Sequence, residues 1–143
     1  MDNVQIVYWS GTGNTEAMAE AVADGVKAAG AEAVVRSVDA ASADDLTQAK
    51  GFALGCSSMG AEELEESEME PFVSELESKV SGKQIVLFGS YGWGDGEWMR
   101  NWADRMTAAG AVVIDGEGII ANAEPDDEAK EKCREAGKVL AGV

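Results

Sequence analysis

The chain has 143 residues, of which 45% are hydrophobic and only two are proline, which fits one domain, residues 1–143, with a buried core. Asp and Glu number 27 against 11 Lys and Arg, which gives a formal net charge of −16. This charge disfavours binding to nucleic acid and to anionic membranes and favours binding to basic protein partners. No apolar run approaches the ~18 residues of a membrane helix, and the N-terminus lacks the cationic start of a secretory signal, so we expect a cytoplasmic protein that binds no membrane.

Strand-like and helical patterns alternate along the chain. The apolar strand segments are 4–9, 33–38, 51–56, 84–90 and 111–115, and the helical segments between and after them are 15–30, 41–49, 68–80, 97–110 and 125–142. Gly30, Gly110 and Gly142 are expected to end helices. Continuous apolar strands alternating with helices indicate an α/β fold, a parallel sheet covered by helices on both faces.

Ligands of such sheets bind beyond the carboxyl ends of the strands. Three loops follow strand ends and therefore form the candidate site: 10–15, which we name loop one, 57–63, loop two, and 90–97, loop three. Cys56 and Cys133 are too few for a disulfide scaffold, and without any histidine they do not form a metal-binding pattern. We expect two buried thiols and no metal.

Loop one lies in the stretch "YWSGTGNTE" and has the composition of a phosphate-binding turn. It combines two glycines with hydroxyl and amide side chains just before a helix whose first N–H groups have no partner. It matches neither the nucleotide-triphosphate motif nor the dinucleotide motif, because Glu16 stands where the third glycine of the latter belongs. The first basic residue is Lys27. A phosphate held without cations suits a permanently bound monophosphate better than a transferred phosphoryl group.

Loops two and three supply apolar side chains that suit a planar ligand. Met59 precedes Gly60 in loop two, and Trp93 stands between Gly92 and Gly94 in loop three. A tryptophan flanked by glycines has no obvious core face and is suited to cover a flat ring. In contrast, Trp98 and Trp102 are four residues apart on a helix and are expected in the core. The six glutamates of 61–70 are interpreted mainly as a solvated surface.

Three segments together resemble the flavodoxin family, specifically the short-chain type of anaerobic bacteria. They are "YWSGTGNTE", "GCSSMGAEELEESEMEPF" and "LFGSYGWGDGEWM", and the likeness in element order spans essentially the whole chain. The resemblance implies a three-layer, doubly wound parallel sheet of five strands in the order 2-1-3-4-5. It also implies non-covalently bound flavin mononucleotide (FMN) and a role in carrying electrons between redox proteins.

The resemblance further implies a role for each part of the site. Loop one and the Ser57 hydroxyl would hold the phosphate, Met59 would pack on the inner flavin face, and Trp93 would stack on the outer face. Glu62 would accept a hydrogen bond from the flavin N3–H, and the peptide between Met59 and Gly60 would turn over on reduction. The implied cofactor-binding residues are Ser10, Thr12, Gly13, Asn14, Thr15, Ser57, Ser58, Met59, Gly60, Ala61, Glu62, Ser90, Tyr91, Gly92, Trp93 and Gly94.

Electron transfer needs no acid, base or nucleophile, so the expected protein is a carrier rather than an enzyme. A neutral phosphate site and an acidic rim disfavour negative charge on the flavin, which predicts a low potential. Expected partners are redox proteins with basic docking surfaces, such as ferredoxin-type reductases and acceptors, and the expected state is a monomer. The alternative is an FMN-dependent reductase of quinones or flavins, although the chain has no insertion that would build a substrate pocket.

Overall fold

A parallel sheet lies between two layers of helices in the computed structural model, which describes residues 2–143. Met1, the first residue of the expected domain, lies outside them. The strands of residues 2–143 are β1 (Asn3–Trp9), β2 (Glu32–Ser37), β3 (Gly51–Cys56), β4 (Gln84–Tyr91), β5 (Val112–Val113) and β6 (Ile119–Asn122). The helices are α1 (Asn14–Ala28), α2 (Ala43–Thr47), α3 (Met69–Leu76), α4 (Glu97–Ala108) and α5 (Asp127–Ala141). Each helix lies within the predicted segment to within about two residues, except that α3 and α2 are shorter.

The strand order β2-β1-β3-β4-β5 confirms the predicted topology. The fifth position differs from the prediction, because β5 and β6 both pair in parallel with β4. The segment 111–115 was expected to be one strand, but only Val112–Val113 is extended before a short 3₁₀ turn, within which Asp115 has φ 68°. Strand β6 was not predicted.

The C-terminal ends of the helices show two kinds of turn. Gly30 and Gly110 have φ 90° and 96° and follow α1 and α4, the left-handed conformation that glycine favours. Gly142 also ends a helix as expected, directly after α5, but its φ of −87° is right-handed.

Two hydrophobic cores cover the two faces of the sheet. Helices α1 and α5 pack on one face, and α2, α3 and α4 pack on the other. Trp98 and Trp102 are buried in the second core as predicted. Cys56 and Cys133 are buried, also as predicted, and burial raises the pKa of each thiol to about 12.

Glycines allow α1 and α5 to approach each other closely. A Cβ on Gly25 would lie 1.9 Å from the Arg134 carbonyl oxygen, and one on Gly137 would lie 2.2 Å from that of Val22. No helix of residues 2–143 is long and apolar enough to cross a membrane.

Candidate functional site

The three loops follow the carboxyl ends of the adjacent strands β1, β3 and β4, and side chains join them. Thr15 and Ser57 bring loops one and two together through their hydroxyl oxygens, 2.7 Å apart. The Ser90 N–H, at the end of β4, donates to Thr15 Oγ1 at 3.2 Å. Loops two and three meet through Glu62. The predicted convergence of the three loops is therefore present.

Loop one leaves the start of α1 open to a ligand. The helix begins at Asn14, one residue before the predicted segment 15–30, after Gly13 in a left-handed conformation with φ 93°. No side chain caps this helix, so the N–H groups of its first turn keep their capacity to bind an anion. The Ser10 hydroxyl accepts the Gly13 N–H at 3.0 Å and shapes the turn. A Cβ on Gly13 would meet no atom within 4 Å, so there is space beside the turn.

The Thr15–Ser57 pair keeps one hydroxyl proton for a ligand. Either hydroxyl can donate in the bond that joins them, and Thr15 Oγ1 also accepts the Ser90 N–H. The two hydroxyls have two protons, and their mutual bond uses one. Within residues 2–143, the hydrogen bonds of these two side chains include no acceptor for the second proton, so it is available to an acceptor such as a phosphate oxygen.

Ser90 has its polar groups engaged within the protein. Its hydroxyl donates to the Ala123 carbonyl at 2.6 Å, its N–H donates to Thr15, and its carbonyl accepts the Ser58 N–H at 3.0 Å. Ser90 thereby positions loops one and two. Its expected contact with the cofactor stays a prediction.

Glu62 fastens loop two to loop three, a contact that the sequence did not predict. Its Oε1 accepts the N–H groups of Asp95 at 2.9 Å and Gly96 at 3.3 Å, at the start of α4. Gly94 has φ 87°, and a Cβ there would lie 1.9 Å from Glu62 Oε1. The carboxylate therefore needs both the conformation and the small size of Gly94. The expected bond from Glu62 to a flavin N3–H stays a prediction.

A tight turn displays Gly60 and Ala61 at its tip. Met59 and Glu63 exchange two backbone hydrogen bonds of 2.9 and 2.8 Å. Between them Gly60 has φ 52°, and a Cβ added to it would meet no atom within 4 Å. The Met59 side chain is 38% exposed. The turn thus presents a glycine with conformational freedom and an apolar side chain next to it.

The side chains of Trp93 and Tyr91 lie in different environments. Trp93 is 61% exposed, which leaves its indole available to cover a planar group; its expected stacking on the flavin stays a prediction. The Tyr91 ring lies 5.6 Å from the buried Trp98 ring, centroid to centroid. Tyr91 therefore anchors the start of loop three on the core, and its expected contact with the cofactor stays a prediction.

Glu65 stabilises the segment between loop two and α3. Its buried carboxylate accepts the N–H groups of Ser67, Glu68 and Met69 at 2.7, 2.8 and 3.1 Å, at the start of α3. Burial raises the pKa of Glu65, but these backbone bonds outweigh burial and hold the pKa below its usual value. The Glu65 N–H in turn donates to Cys56 Sγ at 3.4 Å.

Loops one, two and three contain no Lys or Arg. The nearest base along the chain, Arg100, forms a salt bridge of 2.9 Å with Asp95. Anion binding at this edge therefore relies on backbone dipoles and hydroxyls. Uncapped N–H groups, a spare hydroxyl proton and two exposed apolar side chains fit a group that joins a phosphate to a planar ring.

Comparison with known proteins gives consistent matches over nearly the whole chain. The family model described as Flavodoxin matches residues 6–137. A flavodoxin of Clostridium beijerinckii is 50% identical over 140 residues, covering 98% of this chain and 100% of that protein. A flavodoxin of Megasphaera elsdenii is 49% identical over 138 residues, covering 96% and 98%. The solution structure of the two-electron reduced Megasphaera elsdenii flavodoxin has a TM-score of 0.86 at 46% identity, covering 98% of this chain and 99% of that one.

Proposed function

The chain belongs to the flavodoxin family, and on that premise we propose that loops one, two and three hold FMN so that the protein passes electrons singly between redox proteins at low potential. Flavodoxins bind FMN and are electron carriers rather than enzymes. The alternative of a small-molecule reductase is set aside on that ground. The residues described above support this proposal, because they offer hydrogen-bond donors to a phosphate and exposed apolar side chains to a flat ring.

The phosphate would be held by loop one with help from loop two. The first-turn N–H groups of α1 and the hydroxyls of Ser10, Thr12, Thr15 and Ser57 supply the donors, and the Asn14 amide adds another. The Gly13 turn leaves room for the group to approach the backbone. This arrangement binds a dianion through dipoles without neutralising it.

The flavin ring would lie between the exposed side chains of Met59 and Trp93. Its edge would meet the backbone of 58–62 and 91–94, where Gly60, Ala61, Gly92 and Gly94 keep side chains small. When bound, FMN supplies the redox chemistry by accepting and releasing electrons. The protein residues bind it, orient it and limit its contact with water.

The charges around the site favour a low potential. The three loops have no base, and a unit charge pair ~4 Å apart interacts by ~4 kcal/mol at an effective dielectric constant of ~20. An energy of ~1.4 kcal/mol corresponds to ~59 mV for one electron. A few carboxylates near the ring therefore suffice to make the reduction potential of the step that adds negative charge to the flavin strongly negative.

The junction of Thr15, Ser57 and Ser90 is the observation that most supports this function, because it joins three loops around one spare hydroxyl proton. The test is titration of the cofactor-free protein with FMN and, in parallel, with riboflavin, which lacks the phosphate. We expect FMN to bind at one site with quenched flavin fluorescence and riboflavin to bind much more weakly. Equal affinity for the two would contradict the phosphate site, and no binding of either would contradict the function.

The setting of the protein follows from the same role. We expect a cytoplasmic, monomeric, one-domain carrier that makes weak, salt-sensitive contacts with basic surfaces of ferredoxin-type reductases and acceptors. The net charge of −16 supports such contacts, since it attracts basic surfaces and opposes self-association.

A further inference from the structure

A trough runs along the outer edge of β6, next to loop three. Its volume is about 640 Å³. Its floor is formed by residues 118–120, one wall by Met99 and Arg100 of α4, and the other wall by the acidic face of α5 between Glu128 and Glu135. Within residues 2–143, β6 pairs with β4 and has no strand on its other side. The trough is therefore the space that a further strand would fill.

The backbone of β6 is oriented to accept such a strand. The Ala123 N–H donates to the Tyr91 carbonyl at 2.8 Å, and Tyr91 is the register partner of Asn122. Since successive residues of a strand turn their N–H and C=O groups to opposite sides, Ala121 and Ala123 face β4, whereas Ile120 and Asn122 direct theirs outward. An exposed edge of this kind is a template for pairing with another chain.

The two walls of the trough have different chemistry. On the α4 side the contacts are apolar: a Cβ on Gly118 would lie 2.1 Å from Met99 Sδ, and one on Gly96 would lie 3.0 Å from Ile120 Cδ1. Ile120 is 38% exposed there. On the α5 side the lining is acidic, with Glu128, Glu131, and Glu135. Alternate side chains of an added strand would meet these two environments in turn.

The charge of the trough is negative after its own bases are counted. Arg100 is bound by Asp95 at 2.9 Å. Each glutamate of the α5 wall forms a surface salt bridge with a base of its own helix: Glu128 with Lys132 at 3.8 Å, Glu131 with Arg134 at 2.8 Å and Glu135 with Lys138 at 3.2 Å. Asp115 and Glu117 also line the trough, and no salt bridge of residues 2–143 involves either. A second copy of the chain would bring the same net charge of −16, which opposes pairing of two β6 edges.

We propose that the trough binds an extended basic segment of a redox partner, which adds as a strand to β6 with apolar side chains toward α4 and Lys or Arg side chains toward the acidic lining, above all Asp115 and Glu117. This mode of recognition combines main-chain hydrogen bonds with pockets for alternate side chains. Gly96 belongs both to the trough and to the contact with Glu62, so the bound segment lies beside loop three. The proposal rests on the proposed function, because it places the partner next to the loop assigned to the flavin.

The test uses the FMN-loaded protein labelled with ¹⁵N and a short peptide in which valine and lysine alternate. Two control peptides have the same composition, one with its lysines grouped at one end and one with alternate backbone nitrogens methylated. We expect the alternating peptide to shift the Ile120 and Asn122 amide resonances and slow their hydrogen exchange, and to bind at least about tenfold more tightly than either control. If all three peptides bind equally tightly, binding is due to charge attraction alone, and the proposal that the peptide adds as a strand fails.

Variants locate the binding on the protein. Ile120→Pro removes an outward N–H group at an edge strand, where proline is tolerated. We expect this variant to bind the alternating peptide about tenfold more weakly. Asp115→Asn with Glu117→Gln is expected to weaken it several-fold at low salt, whereas the matched control Glu32→Gln with Glu75→Gln removes two exposed acids elsewhere and leaves binding unchanged. The same loss in both double variants would overturn the location. FMN titration of each variant checks its fold.

A kinetic measurement connects the trough to partners. The alternating peptide is expected to slow reduction of the FMN-loaded protein by a ferredoxin-type reductase, while the methylated peptide slows it less. If the peptide binds at β6 without slowing that reduction, the trough is not where the partner docks and the proposal fails. If the protein binds no FMN, it is the proposed function that fails. Dimerisation through β6 in the absence of peptide would also overturn the proposal.

Discussion

Substitutions of Thr15 and Ser57 can test whether either hydroxyl supplies the proton that the phosphate accepts. Each of Thr15→Val and Ser57→Ala leaves one hydroxyl proton for the ligand, because the pair has two protons and uses one internally. We expect each single variant to weaken FMN binding less than about tenfold and the double variant to weaken it by more than the product of the two effects. Thr107→Val, at an exposed position of α4, serves as control. If the losses of FMN affinity in the two single variants simply add up in the double variant, as measured by fluorescence titration, the two hydroxyls cannot be supplying the same spare proton.

The Glu65 carboxylate is expected to contribute measurably to stability. Glu65→Gln replaces a charged acceptor of three backbone N–H groups, and bonds to a charged group contribute ~1.5–3 kcal/mol. We therefore expect a loss of about 1–3 kcal/mol in the free energy of unfolding measured with urea. The control is Glu66→Gln at the exposed neighbouring position. Equal stability of the two variants would show that the three bonds contribute nothing.

The same residue predicts a pH dependence. Because the pKa of Glu65 is lower in the folded protein than its ordinary value, its stabilising effect is fully present above the ordinary pKa and is lost as pH falls through the folded value. The difference in unfolding free energy between the native protein and Glu65→Gln should therefore be largest near neutral pH and shrink in acid. A difference that grows in acid would contradict the direction of the pKa shift.

Glu62 in loop two and Glu65 just after it have contacts that the sequence did not predict. The six glutamates of 61–70 were interpreted mainly as a solvated surface, yet Glu62 and Glu65 accept five backbone N–H groups between them. The sequence held one signal for Glu65, a carboxylate just before a helix. It held none for Glu62, because its partners lie more than thirty positions away, in loop three.

At the scale of elements, the fit between loops two and three depends on Gly94. Gly94→Ala adds a Cβ at φ 87° that would lie 1.9 Å from Glu62 Oε1, whereas Gly30→Ala adds one at φ 90° with no atom within 4 Å. Both variants bear the left-handed strain of ~1–2 kcal/mol. Only Gly94→Ala should also displace Glu62 and weaken FMN binding by tenfold or more, roughly the effect of losing one charged hydrogen bond. Equal FMN affinities would contradict the role of this contact.

The elements that were predicted well have strong periodicity, and the one that was missed does not. Strands β1, β3 and β4 are runs of mainly apolar residues, fully buried in β3 and largely so in β4, so the sequence predicted their positions closely. Strand β6 has four residues that lie at an edge and follow two glycines, and its pairing with β4 is set by tertiary contacts. The site loops were predicted because their place follows from the order of the strands.

At the scale of the whole molecule, the charge of −16 predicts how electron exchange responds to salt. Attraction to a basic partner is screened within ~10 Å at 0.1 M ionic strength, so the rate of reduction by a ferredoxin-type reductase should fall steeply as salt rises. A neutral small-molecule donor provides the control, and its rate should change little. A reductase rate that is independent of salt would contradict acidic steering.

If this chain is a low-potential, one-electron FMN carrier, its visible absorption during stepwise anaerobic reduction at controlled potential will show it. We expect a yellow purified protein whose flavin bands bleach in two separate one-electron steps, the second at a strongly negative potential. A colourless protein that gains no flavin bands when supplied with FMN would contradict the cofactor. A single two-electron step would contradict the one-electron role.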